Sequence, residues 1–135
     1  MGGATGNSYC DVTTQPFWDA CREHRLVLQY SPSRDRYQFY PRPFLAGDGA
    51  TDLEWREASG YGVIHALAIV RLPLIHGWPP PYVVALVRLR EGPVMMSNII
   101  APDGSLPVVR VGSSVRVVWR ERTDGMAPLP VFTPI

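Results

Sequence analysis

Lysine is absent: all thirteen basic residues of this 135-residue chain are arginine. A Schiff-base lysine is therefore excluded. Arginine is left as the one long basic side chain, a planar two-pronged donor to phosphate or carboxylate that is common at interfaces. Genomic base composition accounts equally well for the same bias. Charge of either sign is also scarce in the net, which is +1, so nothing drives the chain generally toward nucleic acid. Cysteine is limited to Cys10 and Cys21, which form no CxxC pair and are too few for a metal set. Reduced thiols are the plain reading. Only three histidines occur, His24, His65 and His76, at spacings that give no metal pair. No apolar run reaches the length of a membrane span, and residues 1–9 lack the basic start and apolar stretch of a signal peptide. These absences predict a cytoplasmic protein.

What is present is a core. Hydrophobic residues make up 46% of the chain and charged ones 19%, which suits one domain or a small domain with an appendage. Three strand-sized runs, 61–72, 82–89 and 94–100, are separated by Gly77 with Pro79, Pro80 and Pro81, and by Glu91-Gly92-Pro93. The second joint predicts a hairpin. The first run is apolar on both alternate sets, Val63, His65, Leu67 and Ile69 against Ile64, Ala66, Ala68 and Val70, the pattern of a strand covered on both faces. His65 on that strand reads as a structural histidine. The alternation of Val115, Val117 and Trp119 with Arg116, Val118 and Arg120 predicts a half-buried strand. Arg116, Arg120 and Arg122 fall on what reads as its water side. Thr123-Asp124-Gly125 then turns the chain into a last strand, 126–135, which Pro128, Pro130 and Pro134 confine to an edge. Five strands in this order predict a mostly β chain with an oligonucleotide/oligosaccharide-binding (OB) type barrel over 59–135.

Before the barrel, residues 1–15 read as a flexible N-terminus, frayed over 1–8. Thr13-Thr14-Gln15-Pro16 starts a helix reaching about Arg25, capped by either threonine, with Phe17, Cys21 and Trp18 as its apolar stripe. Cys21 reads as a small core residue. Short strands follow at 26–30, 37–40 and 53–58, joined by turns holding Pro32, Pro41, Pro43, Gly47 and Gly49. The 26–55 piece has little apolar material, and a unit so small usually needs a metal or a partner surface.

The order of these pieces resembles the acyl-CoA-associated zinc-ribbon and OB-barrel family once catalogued as domain of unknown function thirty-five. The resemblance rests on Phe17-Trp18-Asp19-Ala20, Leu26-Val27-Leu28-Gln29, Gln38-Phe39-Tyr40-Pro41-Arg42-Pro43 and Leu53-Glu54-Trp55 in the first half. Ser59-Gly60-Tyr61-Gly62, Pro81-Tyr82-Val83-Val84-Ala85-Leu86-Val87, Gly92-Pro93, Ser97-Asn98, Val111-Gly112 and Pro130-Val131-Phe132 carry it through the second. It spans about 16–134. The family's ribbon has two CxxC pairs flanking Pro-Arg-Pro; the corresponding positions here hold Ser31 and Arg34, then Leu45 and Asp48. These four cannot form a closed thiolate site. The resemblance therefore implies residues 16–58 as a helix plus a degenerate, zinc-free, rubredoxin-like ribbon hairpin, with no metal ligands.

The resemblance further implies a non-catalytic accessory subunit of a thiolase-like acyl-CoA enzyme, performing acyl transfer or carbon–carbon bond cleavage or formation, such as a steroid side-chain aldolase. Some relatives join a hydratase instead. The catalytic groups would sit on the partner, and acyl-CoA would be shared with it; the chain itself binds no cofactor. Phe17, Trp18, Phe39, Tyr40 and Arg42 are the candidates for the contact. Arg34, Arg36 and Arg42 read as a solvated basic turn or, more sharply, as a clamp for coenzyme A phosphates or an acidic partner. His76 and Trp78, in the stiff loop 73–81, are further interface candidates. No residue is assigned a catalytic role: Ser97 and Ser114 lack a nucleophile motif. The alternative is a stand-alone OB module binding nucleotide or single-stranded nucleic acid.

Overall fold

The computed structural model describes residues 12–135, so Cys10 and the stretch 1–8 lie outside it. The chain divides into two compact units. The first runs up to Ser59 and takes in Arg120–Leu129; the second is Gly60–Trp119 with Pro130–Ile135.

The first unit opens with α1 (Gln15–Arg22). Thr14 is its cap residue, but through its backbone: its carbonyl accepts from Phe17 N at 3.0 Å, and its hydroxyl makes no capping bond. The helix ends earlier than the apolar spacing predicts. His24 takes a left-handed φ of 58°, and Glu23 N and Arg25 N both turn back onto the Ala20 carbonyl at 2.9 Å. This satisfies carbonyls that would otherwise be orphaned. Phe17, Ala20 and Cys21 form the buried face. Three antiparallel strands follow, β1 (Val27–Ser31), β2 (Arg36–Gln38) and β3 (Glu54–Glu57), in the order β2-β1-β3. The central β1 is buried at every position.

The first unit is richer in core than its sequence implies. Leu26, Val27, Leu28, Tyr30 and Leu45 join the helix's buried face, and Ala127 arrives from the Arg120–Leu129 segment. Each fully buried aliphatic side chain stabilises by about 1.5–3 kcal/mol. The sequence hides this in part because the unit is completed by a segment nearly a hundred positions away.

The second unit is a closed five-stranded barrel of β4 (Tyr61–Val70), β5 (Tyr82–Leu89), β6 (Val94–Ile99), β7 (Ser114–Arg120) and β8 (Leu129–Pro134), ordered β4-β5-β6-β8-β7. This is the mostly β, OB-type fold that the run order predicts. Glu91-Gly92-Pro93 does close a hairpin, with Arg88 paired to Val94. Ile64, Val83, Val87, Leu89, Ile99, Val115 and Phe132 are among the side chains filling the interior.

Three expectations change here. First, β4 is not covered on both faces. A bulge falls between Ile64 and Ala66: Ile64 faces Val87, while Ala66 faces Leu86. The extra residue is His65, which is exposed, so it is not a core histidine. Directly paired residues share a face, so the bulge switches parity. Beyond the bulge Leu67 and Ile69 pair with the buried Ala85 and Val83, but Leu67 is half-buried and Ile69 exposed, so Ile64 is the one residue of β4 in the core. Second, β8 is no edge strand, since it lies between β6 and β7. Its prolines are tolerated because its pairing with β6 is one bridge, Ile99 with Phe132, and the Ser97 hydroxyl satisfies the Pro130 carbonyl at 2.8 Å. Third, Arg122 is not on a water side. Its Nε donates to the Ala127 carbonyl at 2.7 Å, and its guanidinium lies 5.6 Å from the Trp18 ring centre.

Gly62 shows how tightly the barrel closes. A Cβ there would sit 2.6 Å from the Arg88 carbonyl oxygen and 2.8 Å from Val87 Cγ1. Gly60 has a φ of 85° and would meet Val117 Cγ1 at 2.8 Å. The chain enters the barrel through two positions that reject a side chain.

Candidate interaction surface

The first unit carries most of the sequence-derived candidates: Phe17 and Trp18 on α1, Arg34 and Arg36 in the β1–β2 hairpin, and Phe39, Tyr40 and Arg42 on the loop after β2. Residues Pro41–Ala46 have no ladder to hold them, so two glutamines do it. Gln29 and Gln38 face each other across β1 and β2. Gln38 Nε2 donates to Gln29 Oε1 at 2.7 Å and to the Phe44 carbonyl at 3.1 Å, and its Oε1 accepts from Ala46 N at 3.0 Å. Gln29 Nε2 donates to the Arg42 carbonyl at 2.8 Å, and Arg42 N returns a bond to Gln29 Oε1 at 2.9 Å. Buried amides satisfied this fully act as cross-links. Sequence reading passed over them, although two glutamines at fully or nearly buried strand positions are the signal that would have found them.

Ser31, Arg34, Leu45 and Asp48, the four positions that the resemblance sets against zinc ligands, lie in two turns. Arg34 N approaches the Ser31 carbonyl at 3.3 Å and Asp48 N the Leu45 carbonyl at 3.2 Å, so each tetrad is a tight turn. Arg34 Nε donates to both Asp48 carboxylate oxygens, at 3.1 and 2.9 Å, tying one turn to the other. Leu45 is fully buried between them in sequence, and the Ser31 hydroxyl donates to Asp52 Oδ1 at 2.7 Å. Asp52 also accepts from Ser33 N at 2.8 Å. Hydrogen bonds from Ser33 and Ser31 pull its pKa down to about 2. The Arg34 guanidinium lowers that of Asp48. Among the described residues, no group of three or more His, Cys, Asp or Glu is placed to hold a metal.

Four of the predicted rings come together. Phe17 stands 5.0 Å from Trp18 and 5.6 Å from Phe39, and Phe39 5.4 Å from Tyr40, centre to centre. Their accessibility differs. Phe17 is 2% exposed and belongs to the core, so it leaves the set of contact candidates. Trp18 and Phe39 are half-buried, while Tyr40 and Phe44 are exposed. The buried Trp18 Nε1 donor has no hydrogen-bond partner among the described residues. The proposed arginine clamp is largely committed elsewhere. Arg34 is ion-paired to Asp48, and Arg36 donates to the Ala46 carbonyl at 2.8 Å. Arg42, two positions after Tyr40, is exposed.

The other two candidates lie in the second unit. His76 and Trp78 line a cavity of about 500 Å³ with Ile75 and the loop prolines. Trp78 packs on Tyr82, ring centres 5.6 Å apart. Leu72, Leu74 and Ile75 are exposed along this loop. His24 bonds Glu121 at 2.8 Å, and His65 and His76 are exposed on the barrel unit.

Comparison with known proteins decides the family. The chain superposes on a chain of the Ltp2-ChsH2(DUF35) aldolase with a TM-score of 0.77 and 30% identity, covering 92% of this chain and 95% of that one. The chain belongs to the ChsH2-like DUF35 family. The family model described as ChsH2, C-terminal OB-fold domain, matches residues 55–120. A DUF35 protein of unknown function from Sulfolobus solfataricus has the same fold, with a TM-score of 0.66 at 11% identity over 95% of this chain and 89% of that one. Two curated relatives are also similar. One is a probable enoyl-CoA hydratase alpha subunit of Thermomonospora curvata, 34% identical over 87% of this chain. The other is the 3-oxo-4,17-pregnadiene-20-carboxyl-CoA hydratase alpha subunit of Mycobacterium tuberculosis, 27% identical over 80% of this chain. This DUF35 chain covers 36% and 34% of those two, about a third of their length.

Proposed function

We propose that this DUF35 chain is a non-catalytic accessory subunit of an acyl-CoA enzyme. Its partner is a thiolase-like subunit that carries the nucleophile and the acids. The reaction is acyl transfer or carbon–carbon bond cleavage or formation on a coenzyme A thioester, with a steroid side-chain aldolase as the favoured case. The observation that supports this most is the end-to-end likeness, at 30% identity, to a chain of a two-component aldolase. The chain's own chemistry points the same way: it has no lysine, and its one described cysteine, Cys21, is buried. The contact surface runs over Trp18, Phe39, Tyr40 and Arg42, residue types that dominate binding hot spots. In this reading the barrel sits over the partner's acyl-CoA entrance.

The test is co-expression with the thiolase-like protein encoded nearest to it, followed by size-exclusion chromatography and thioester assays. A stable complex with activity that neither chain has alone is expected. Turnover by the isolated chain, or no complex with any thiolase-like candidate, overturns the proposal. A second reading, a hydratase partner, draws on the two curated relatives, both named as hydratase alpha subunits. Hydration of an enoyl-CoA by the complex, without cleavage of a β-hydroxyacyl-CoA, would select it.

A further inference from the structure

One corner of the barrel gathers cations without their counter-charges. Tyr61 pairs with Arg116 on β7, and on its other side Arg90 N donates to the Tyr61 carbonyl at 2.9 Å. Two residues along, Val63 pairs with Ser114 on one side and Arg88 on the other. Paired residues share a face, so two rows, Arg116–Tyr61–Arg90 and Ser114–Val63–Arg88, lie side by side on the outside of the barrel. All six are exposed. A cavity of about 300 Å³ opens there, lined by Tyr61, Val63, Arg88, Arg90, Ser114 and Ile135 among others.

What marks this corner is that three arginines fall around one tyrosine on a single face. Elsewhere Arg25, Arg34 and Arg56 each face a carboxylate within 3.4 Å. Among the described residues no carboxylate is within ion-pair distance of Arg88, Arg90 or Arg116. Arg88 reaches only the Gly92 carbonyl, at 3.3 Å, and Arg90 lies 4.9 Å from the centre of the Tyr61 ring. Three like charges held this close repel one another, and an anion relieves that repulsion. Guanidinium groups match phosphate oxygens two at a time. Tyr61 and Val63 add a ring face and an apolar floor beside them, which a bare phosphate does not use.

We propose that this corner binds a phosphorylated ring compound of the nucleoside diphosphate class. The phosphates sit on Arg88 and Arg90, with Arg116 adding charge, and the planar base lies against Tyr61 and Val63. The cavity is of the size of a small-ligand site. Every residue involved lies in the barrel unit, so the site stands whether or not the partner reading holds.

The experiment is calorimetric titration of the full chain with ADP, inorganic pyrophosphate and adenosine at low salt. ADP is expected to bind with a Kd below about 1 mM, and pyrophosphate and adenosine each at least about tenfold more weakly. Arg88→Gln and Arg90→Gln should each weaken ADP about fivefold or more. Arg71→Gln, at the far end of β4, should leave binding unchanged, and circular dichroism should show every variant folded. Tyr61→Leu should bring ADP down to the pyrophosphate level. Raising salt should weaken binding, as expected for exposed charges. No heat from ADP up to about 5 mM overturns the site. So does ADP binding that survives both arginine substitutions, or that falls equally in Arg71→Gln. Pyrophosphate binding as tightly as ADP overturns the assignment to a ring-bearing ligand. Displacement of ADP by a glutamate-rich peptide at equal concentration would make the corner an acidic-protein contact instead.

Discussion

Replacing Gln38 by alanine removes the central staple of the first unit. The side chain is 8% exposed and makes three hydrogen bonds, to Gln29 Oε1, the Phe44 carbonyl and Ala46 N. A net value of about 0.5–1.5 kcal/mol each gives roughly 2–4 kcal/mol for the three. The Gln29 bond is buried and weighs most; the other two are part-exposed, so water takes over some of their value. Gln29 keeps its bonds to Arg42, so the loop is loosened at its far end only. For a domain of this size, the loss should lower the melting temperature by about 6–15 °C. Unfolding followed by tryptophan fluorescence reads this unit through Trp18 and Trp55 and the barrel through Trp78 and Trp119, so the assay uses a variant with Trp78 and Trp119 replaced by Phe as its background. Because the chain has two units, the transition need not be two-state, and a barrel-specific probe should accompany it. Gln38→Glu should be at least as damaging, since a carboxylate cannot donate to Gln29 or Phe44. A loss under about 0.5 kcal/mol in both variants would refute the idea that this amide pair holds the Pro41–Ala46 loop.

Gly62→Ala should destabilise the barrel by about 1–3 kcal/mol or more, because the new methyl group would sit 2.6 Å from the Arg88 carbonyl oxygen; chemical denaturation tests this, and an unchanged midpoint would contradict the close packing. Asp52 has a folded pKa near 2 against an ordinary 3.8, so its contribution to stability is complete above about pH 4 and is lost as pH falls toward 2. Asp52→Asn should therefore flatten the acid limb of the stability profile, and a limb identical to wild type would disprove that role. If the proposed partner docks on these rings, Phe39→Ala and Tyr40→Ala should each weaken association with it by roughly 1–3 kcal/mol in a titration while the barrel stays folded. Full affinity in both variants would move the contact elsewhere.

The sequence by itself determined the barrel and the family. Runs 61–72, 82–89 and 94–100 became β4, β5 and β6 because apolar content and turn residues are local properties, legible without knowing the fold. The absence of lysine was final at the sequence level, since folding cannot supply missing side chains. Tertiary structure alone decided what depends on distant partners. Alternation along 61–70 could not reveal that a bulge at His65 exchanges the two faces, because parity is fixed by what β5 offers opposite. The prolines of 128–134 marked an edge only until barrel closure placed β8 between β6 and β7. Phe17 and Phe39 read alike as aromatic candidates, and only packing made the first a core residue and left the second half-buried. Arg116 lies far along the chain from Arg88 and Arg90, and the three carry no motif. Strand register alone, set by the hydrogen bonds of a closed sheet, brings them around Tyr61.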